Sequence, residues 1–491
     1  MRPSERAAPR AGGAFVPVSV PPVPRGRPLP MASGHAFDEH HPPAAAQIGD
    51  CVHCGFCLPA CPTYVLWGEE MDSPRGRILL MDLALRQERP LTAETVSHWD
   101  ACLGCLACVG ACPSGVAYDQ LLEGTRQQVE RRFQRPLADR LTRSAIFALF
   151  PHPGRLRVAA ALLGAARLTG LPQRLQQGPV AARLPKALRA AARIAPRGRW
   201  LDVVRGLPRP RGPAGGAAPR LRVALLAGCV QRVFFSDVNE ATAVALAAYG
   251  AEVWVPPGQG CCGALELHAG REAAAQARAR ALIRHLEDPA LDRIAVNAAG
   301  CGAMLRTLDR LFADDPAWAP RAAAVAAKVR DVTEILMELG PPPGALHPLP
   351  MRVAYHDACH LAHAQGVREA PRRVLGAIPG LEVVEVPEGD LCCGSAGIYN
   401  LTAVTAAEDL GRRKAANIRA VSPVALVAGN PGCLLQIDAA LRAAGAPVPS
   451  FHPVELVAAS LRGVPVGRLL SGGAEPAPCM ERGSPGDVTR L

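Results

Sequence analysis

The sequence predicts an α+β multidomain chain, with a helical N-terminal domain carrying two cysteine runs and a tandem-repeat α/β region after it. Three observations predict this. Eight cysteines crowd residues 51–112 in two runs of four. Another eight, from Cys229 to Cys433, fall into two units of matching spacing, each centred on Cys-Cys-Gly. Around those units short Val/Ile/Leu runs alternate with Ala-rich helical stretches, as strands alternate with crossover helices in α/β folds.

Taken in order, residues 1–45 are rich in Arg and Pro and read as a disordered lead-in. They contain no apolar core of about 7–15 residues and so are not a secretory signal. Residues 46–135 form the first cysteine-bearing domain, and residues 136–219 are Arg/Ala-rich helices ending in a linker, RGLPRPRGPAGGAAP. Residues 220–345 and 346–465 are the two Cys-Cys-Gly domains, and 466–491 a tail in which Cys479 stands alone.

Composition narrows the function. The 491 residues carry a formal net charge of +11, and of 54 basic residues only Lys186, Lys328 and Lys414 are lysines. A basic chain suits an acidic partner or an anionic membrane surface. Nucleic acid is disfavoured, because no binding-module signature is present and aromatics, at 4%, are scarce for base stacking. No apolar run approaches the ~18 residues of a membrane span. Seventeen cysteines without an export signal argue against a disulfide framework and for metal or redox sites. The expected location is the cytoplasm, with peripheral contact at the cytoplasmic face of the inner membrane.

The two runs declare their chemistry. Cys51, Cys54, Cys57 and Cys61 fit C-x2-C-x2-C-x3-C-P, as do Cys102, Cys105, Cys108 and Cys112, and Pro62 and Pro113 follow them. A cubane takes one thiolate per iron. Three cysteines two residues apart wrap three corners, and the last cysteine of the other run reaches the fourth. The first [4Fe–4S] cluster therefore falls to Cys51, Cys54, Cys57 and Cys112, and the second to Cys102, Cys105, Cys108 and Cys61. Gly55, Gly104 and Gly110 leave room for backbone N–H groups near sulfide. Structural zinc prefers paired C-x2-C groups and fits these runs poorly. Between the runs, Ser73 followed by Pro74 starts a helix, so the domain is a largely helical two-cluster ferredoxin domain. Arg75 and Arg77 on that helix either offset cluster charge or lie on its solvated face.

The second set is a repeat. Cys229, Cys261-Cys262 and Cys301 form one unit, and Cys359, Cys392-Cys393 and Cys433 the other. The gaps are 31 and 38 residues in the first and 32 and 39 in the second. Each cysteine follows a predicted strand, where open α/β sheets form their sites. Adjacent cysteines are poorly placed for a disulfide but can both reach iron. Each unit thus offers four sulfurs, for one further iron–sulfur cluster per unit or one shared between them. Buried structural thiols and a thiol–disulfide redox site are the other readings. His268, His356, His360 and His363 lie nearby, and any single one reads more simply as a packing histidine than as a ligand.

With both blocks on the page, the chain resembles the iron–sulfur subunits of bacterial glycolate oxidases. The resemblance spans residues 46–460. Its carriers are CVHCGFCLPACPTY (51–64), DSPRGR (72–77), CLGCLACVGACPSGV (102–116), GCVQ (228–231), GCCGALELH (260–268), LCCGSAGIY (391–399) and NPGC (430–433). The sequence departs from the full Cys-Cys-Gly pattern, which closes with C-x2-C, because Ala298 and Asn430 stand where the first of those cysteines would be. The departure leaves open whether the units hold a cluster of the heterodisulfide reductase type.

The resemblance implies an electron-transfer subunit. A separate FAD-containing subunit would oxidise glycolate to glyoxylate, and this chain would relay the electrons to a quinone or another acceptor. No G-x-G-x-x-G opens a helix after a predicted strand, which agrees with dehydrogenation on a partner. Two further functions stay open: the same relay serving a glycerol 3-phosphate or lactate dehydrogenase, and a thiol/disulfide reductase acting at the Cys-Cys-Gly sites.

Overall fold

The computed structural model describes residues 36–86, 91–168, 186–195, 206–213 and 216–471. The expected α+β arrangement is present: a helical N-terminal region, then two parallel sheets. In the first sheet β1 (Leu221–Leu226), β2 (Ala251–Trp254), β3 (Arg293–Val296) and β4 (Val329–Asp331) stand in the order β2-β1-β3-β4. In the second, β5 (Met351–His356), β6 (Leu381–Glu385), β7 (Ala425–Ala428) and β8 (Ser450–Phe451) repeat it as β6-β5-β7-β8. All pairings within these sheets are parallel. Parallel neighbours need crossover connections, and helices supply them. The strand order reverses between β1 and β3, and between β5 and β7. Cys229 and Cys301 follow the first pair, and Cys359 and Cys433 the second, so each unit's thiols gather at the switch point of its sheet.

One hydrophobic core runs through both units. Helix Ser236–Ala248 packs on Pro453–Leu461, and Val332–Leu339 on Glu369–Gly376. Val223 and Leu225 of the first sheet share that core with Val353 and Val427 of the second. Asp331 ends β4 and caps helix Val332–Leu339, accepting from the Thr333 N–H, while Glu334 accepts from the Asp331 N–H. Burial raises the Asp331 carboxyl to about 6. A raised acid pKa means the folded state holds its proton longer than the unfolded chain, so this group's contribution falls as pH rises from about 4 to about 6. Asp331→Asn keeps the cap and is expected to remove that decline, about 2–3 kcal/mol. Anaerobic urea unfolding of both proteins at pH 4.5 and 7 measures it.

Both ends of the described chain are more ordered than composition suggests. Of the expected lead-in, residues 1–35 lie outside the described residues, but Ala36 and Phe37 are buried in the N-terminal core beside Trp99. Asp38 accepts from Gln128 and Arg131, and His40 and His41 reach Glu272 of the first unit. Phe37 gives a weakly apolar segment something to bury, and the polar pairs fix the rest. In the expected tail, Val466–Leu470 is helical and packs on the shared core, while 472–491 lies outside the described residues. In the linker, Arg211 pairs with Val253 at the sheet edge and with Glu240.

Candidate metal centres

Helix Pro74–Arg86 starts as the sequence requires, with the Ser73 hydroxyl accepting the Gly76 N–H and Pro74 at its first position. It brings Arg77 under the second cysteine run. The side chain is buried and fully engaged: Nε donates to the His98 carbonyl at 2.6 Å, and Nη2 to Thr63 Oγ1 at 3.0 Å and Asp72 Oδ1 at 3.3 Å. Its Nη1 lies 3.9 Å from Cys61 Sγ. Of the two arginines left open above, Arg77 is the internal cation. Arg75 is more exposed, pairing with Glu70 and donating to the His53 carbonyl.

The thiols converge into two cavities. One is walled by Cys51, Cys54, Cys57 and Cys112, with Cys108 at its back. The other is walled by Cys61, Cys102, Cys105 and Cys108. Each cavity therefore takes its last thiol from the other run. The first lies near the surface, with Cys54 exposed, whereas all four cysteines of the second are buried. Around the second, burial opposes ionisation of Cys102, but the guanidiniums of Arg77 and Arg126 outweigh it and lower the thiol below its ordinary value. The Gly104 N–H and the Tyr118 hydroxyl point to the same sulfur, at 3.4 and 3.6 Å. Convergent thiols, nearby cations and N–H donors fit a cluster of bridged iron and sulfide.

The deeper cavity abuts the second Cys-Cys-Gly unit. Leu103, Cys105 and Ala107 share one buried cluster with Cys359, Cys392 and Tyr399. Burial, and then the charge of Cys359, push the Cys105 thiol well up. Beside this contact a cleft lies between the N-terminal region and both units, lined in part by Cys102, Arg126, His268, His360 and Tyr399. Arg126 closes one side, donating to the carbonyls of Cys102 and His268.

Among the thiols of the second unit, Cys359 Sγ donates to Cys392 Sγ at 3.9 Å. Neighbouring thiols there shift one another, so that Cys359 and Cys393 fall well below the ordinary thiol value and Cys392 and Cys433 rise well above it. In the first unit Cys261 is likewise lowered, and Cys229 and Cys262 raised, by their thiol neighbours. The sixteen described cysteines are all free thiols. Lys414, one of the three lysines, is buried behind the second pair and donates to the Glu388 and Gly389 carbonyls. Composition gave no sign of that role.

The glycine of each pair has a steric purpose. Gly394 sits at φ +90°, and a Cβ there would lie 2.9 Å from the Ala407 carbonyl oxygen. Gly263 repeats this against Ala275 at 3.1 Å. The pair thus turns sharply onto the following helix. Gly394→Ala is expected to cost about 2–4 kcal/mol and to loosen the packing around the second Cys-Cys pair, read as faster alkylation of Cys392 and Cys393. Of the nearby histidines, His356 lies among thiols, His268 and His360 sit with ring centroids 5.0 Å apart, and His363 bonds the Asp390 carbonyl and Arg368.

Comparison with known proteins agrees with this architecture. Residues 47–116 match the 4Fe-4S dicluster domain, and 223–306 and 353–438 the cysteine-rich domain. Residues 138–195 match the linker region of the glycolate oxidase iron–sulfur subunit. The probable glycolate oxidase iron–sulfur subunit of Bacillus subtilis is 36% identical over 410 residues, covering 81% of this chain and 90% of that protein. The chain belongs to the glycolate oxidase iron–sulfur subunit family. A second member, from Escherichia coli, is 33% identical over 399 residues, covering 80% of this chain and 90% of its own. Lactate utilization protein A of a Geobacillus species is 29% identical over 237 residues, 48% of this chain and 99% of that protein. Membership makes the chain an iron–sulfur electron-transfer protein of the oxidoreductase class. Among the described residues no helix is long and apolar enough to cross a membrane.

Proposed function

We propose that this chain takes electrons one at a time from an FAD-containing partner subunit that oxidises glycolate to glyoxylate, and relays them towards a quinone or another acceptor. The graded burial of the thiols carries the reading: a half-buried set with Cys54 exposed at one end, a buried set behind it, and the second Cys-Cys-Gly unit beyond. Held at such thiols, a [4Fe–4S] cluster supplies a one-electron store whose ligands hardly move on reduction.

In this reading Cys51, Cys54, Cys57 and Cys112 hold the entry cluster. Val52 and Phe56, 68% and 66% exposed, offer the partner an apolar contact beside it. Cys61, Cys102, Cys105 and Cys108 hold the inner cluster, where Arg77 and Arg126 offset added negative charge. The remaining eight cysteines of the two units are the ligands available for further metal. A net charge of +11 suits peripheral contact with an anionic cytoplasmic membrane face.

Stopped-flow mixing with the FAD-containing subunit and glycolate tests the relay. Flavin reduction is expected to be followed by bleaching of the iron–sulfur absorbance. Phe56→Glu should slow that bleaching by about tenfold or more and leave flavin reduction unchanged. A reduced flavin that never bleaches the wild-type chain would sink the proposal, and lactate in place of glycolate separates the two donors.

A further inference from the structure

The two Cys-Cys-Gly units repeat one topology, but they differ at the residue that ends the first strand of each. Three positions before the first cysteine, the first unit has Leu226 and the second has His356. Leu226 is 2% exposed and joins the apolar core of its unit. His356 is 0% exposed, and neither of its ring nitrogens has a hydrogen-bond partner. A buried imidazole without a partner costs free energy unless something else satisfies it. What it faces is sulfur: its ligand atom and those of Cys393 and Cys433 all lie within 4.8 Å of one another, and all three residues are buried.

That spacing selects the kind of metal. In a cubane each thiolate takes its own iron at a separate corner, which spreads the sulfurs apart. Around one tetrahedral ion, bonds of about 2.0–2.3 Å bring ligand atoms to about 3.3–3.8 Å from one another, a short contraction from the observed arrangement. Two thiolates and one neutral imidazole around a divalent cation also sum to zero charge, as a fully buried site favours. The Asn430 amide donates to Cys433 Sγ at 3.4 Å and orients that thiol from behind.

We propose that the second unit, and not the first, holds a single divalent ion of the zinc or ferrous class through His356, Cys393 and Cys433. In the first unit the apolar Leu226 removes the nitrogen ligand. This deepens the metal reading of the units, but it does not depend on the two clusters of the N-terminal region.

Elemental analysis of the anaerobically purified full chain, with acid-labile sulfide counted on the same sample, tests it. Two cubanes contribute about eight irons matched by eight sulfides. The wild type should hold one further metal unmatched by sulfide, and its identity separates zinc from iron. His356→Leu, which copies residue 226, and the near-isosteric Cys433→Ser should each lose that metal with iron and sulfide otherwise unchanged. Cys301→Ser, in the first unit, should keep it. Cobalt loaded into the metal-depleted chain should give a thiolate charge-transfer band that His356→Leu abolishes. The proposal falls if the wild type has no unmatched metal, if both second-unit variants retain it, if Cys301→Ser loses it equally, or if His356→Leu removes iron and sulfide together. Absence of all labile sulfide would instead strike the two-cluster reading and leave the unmatched metal countable.

Discussion

Arg77→Met is expected to cost about 3–5 kcal/mol of stability and to lower the iron content of the second thiol cavity. The guanidinium is the hub of a buried cluster in which Asp72, Thr63 and the His98 carbonyl all accept from it. Met fills much of the volume but donates nothing. Asp72 would then keep His98 Nδ1, at 3.0 Å, as its remaining basic side-chain partner. Cys102 would lose the internal positive charge that favours its thiolate. Arg77→Lys should fall between the two, because one ammonium cannot span the acceptors that a planar fork reaches. Anaerobic urea unfolding with iron counted on the folded fraction measures both effects, and a Met variant with wild-type midpoint and iron would contradict the account.

Gly270→Ala is the second large effect. Gly270 lies at φ +83°, and a Cβ there would overlap the Arg126 backbone carbonyl in helix Tyr118–Arg132. Neither backbone can yield cheaply, so left-handed strain and overpacking add to about 2–5 kcal/mol. The damage is specific to one seam, because Arg126 spans it by donating to Cys102 and His268. Gly344→Ala, also at positive φ but in open space, isolates the strain term and should cost only about 1–2 kcal/mol. Amide exchange should quicken along helix Tyr118–Arg132 in the first variant and not in the second.

The parts of this molecule legible in the sequence are those whose causes are local. A cysteine every third residue describes a loop around a cluster, and Cys-Cys-Gly at repeated spacing describes a strand end and a turn. The two-sheet architecture followed from that repeat. Long-range packing decides what remained hidden. Arg75 and Arg77 are two residues apart on one helix, and only the fold makes one a buried hub and leaves the other near the surface. Phe37 was unreadable as an anchor because its pocket is built from residues as distant as Trp99. Four histidines near the thiols looked equivalent, and His356 is distinguished by standing at the end of β5, where its register opposite Ala428 turns it into the interior. The shared strand order of the two sheets likewise lay beyond any pattern of strands alone.

The buried cluster that joins Leu103, Cys105 and Ala107 to Cys392 and Tyr399 has a consequence for how such chains can be taken apart. The two-run segment has no roof of its own. Cut out at its linker, it would present to water the surface meant to lie innermost, and oxygen would meet the thiols that are now best shielded. It is therefore not an interchangeable cartridge to be moved between hosts. A graft of this segment would have to bring the roof with it.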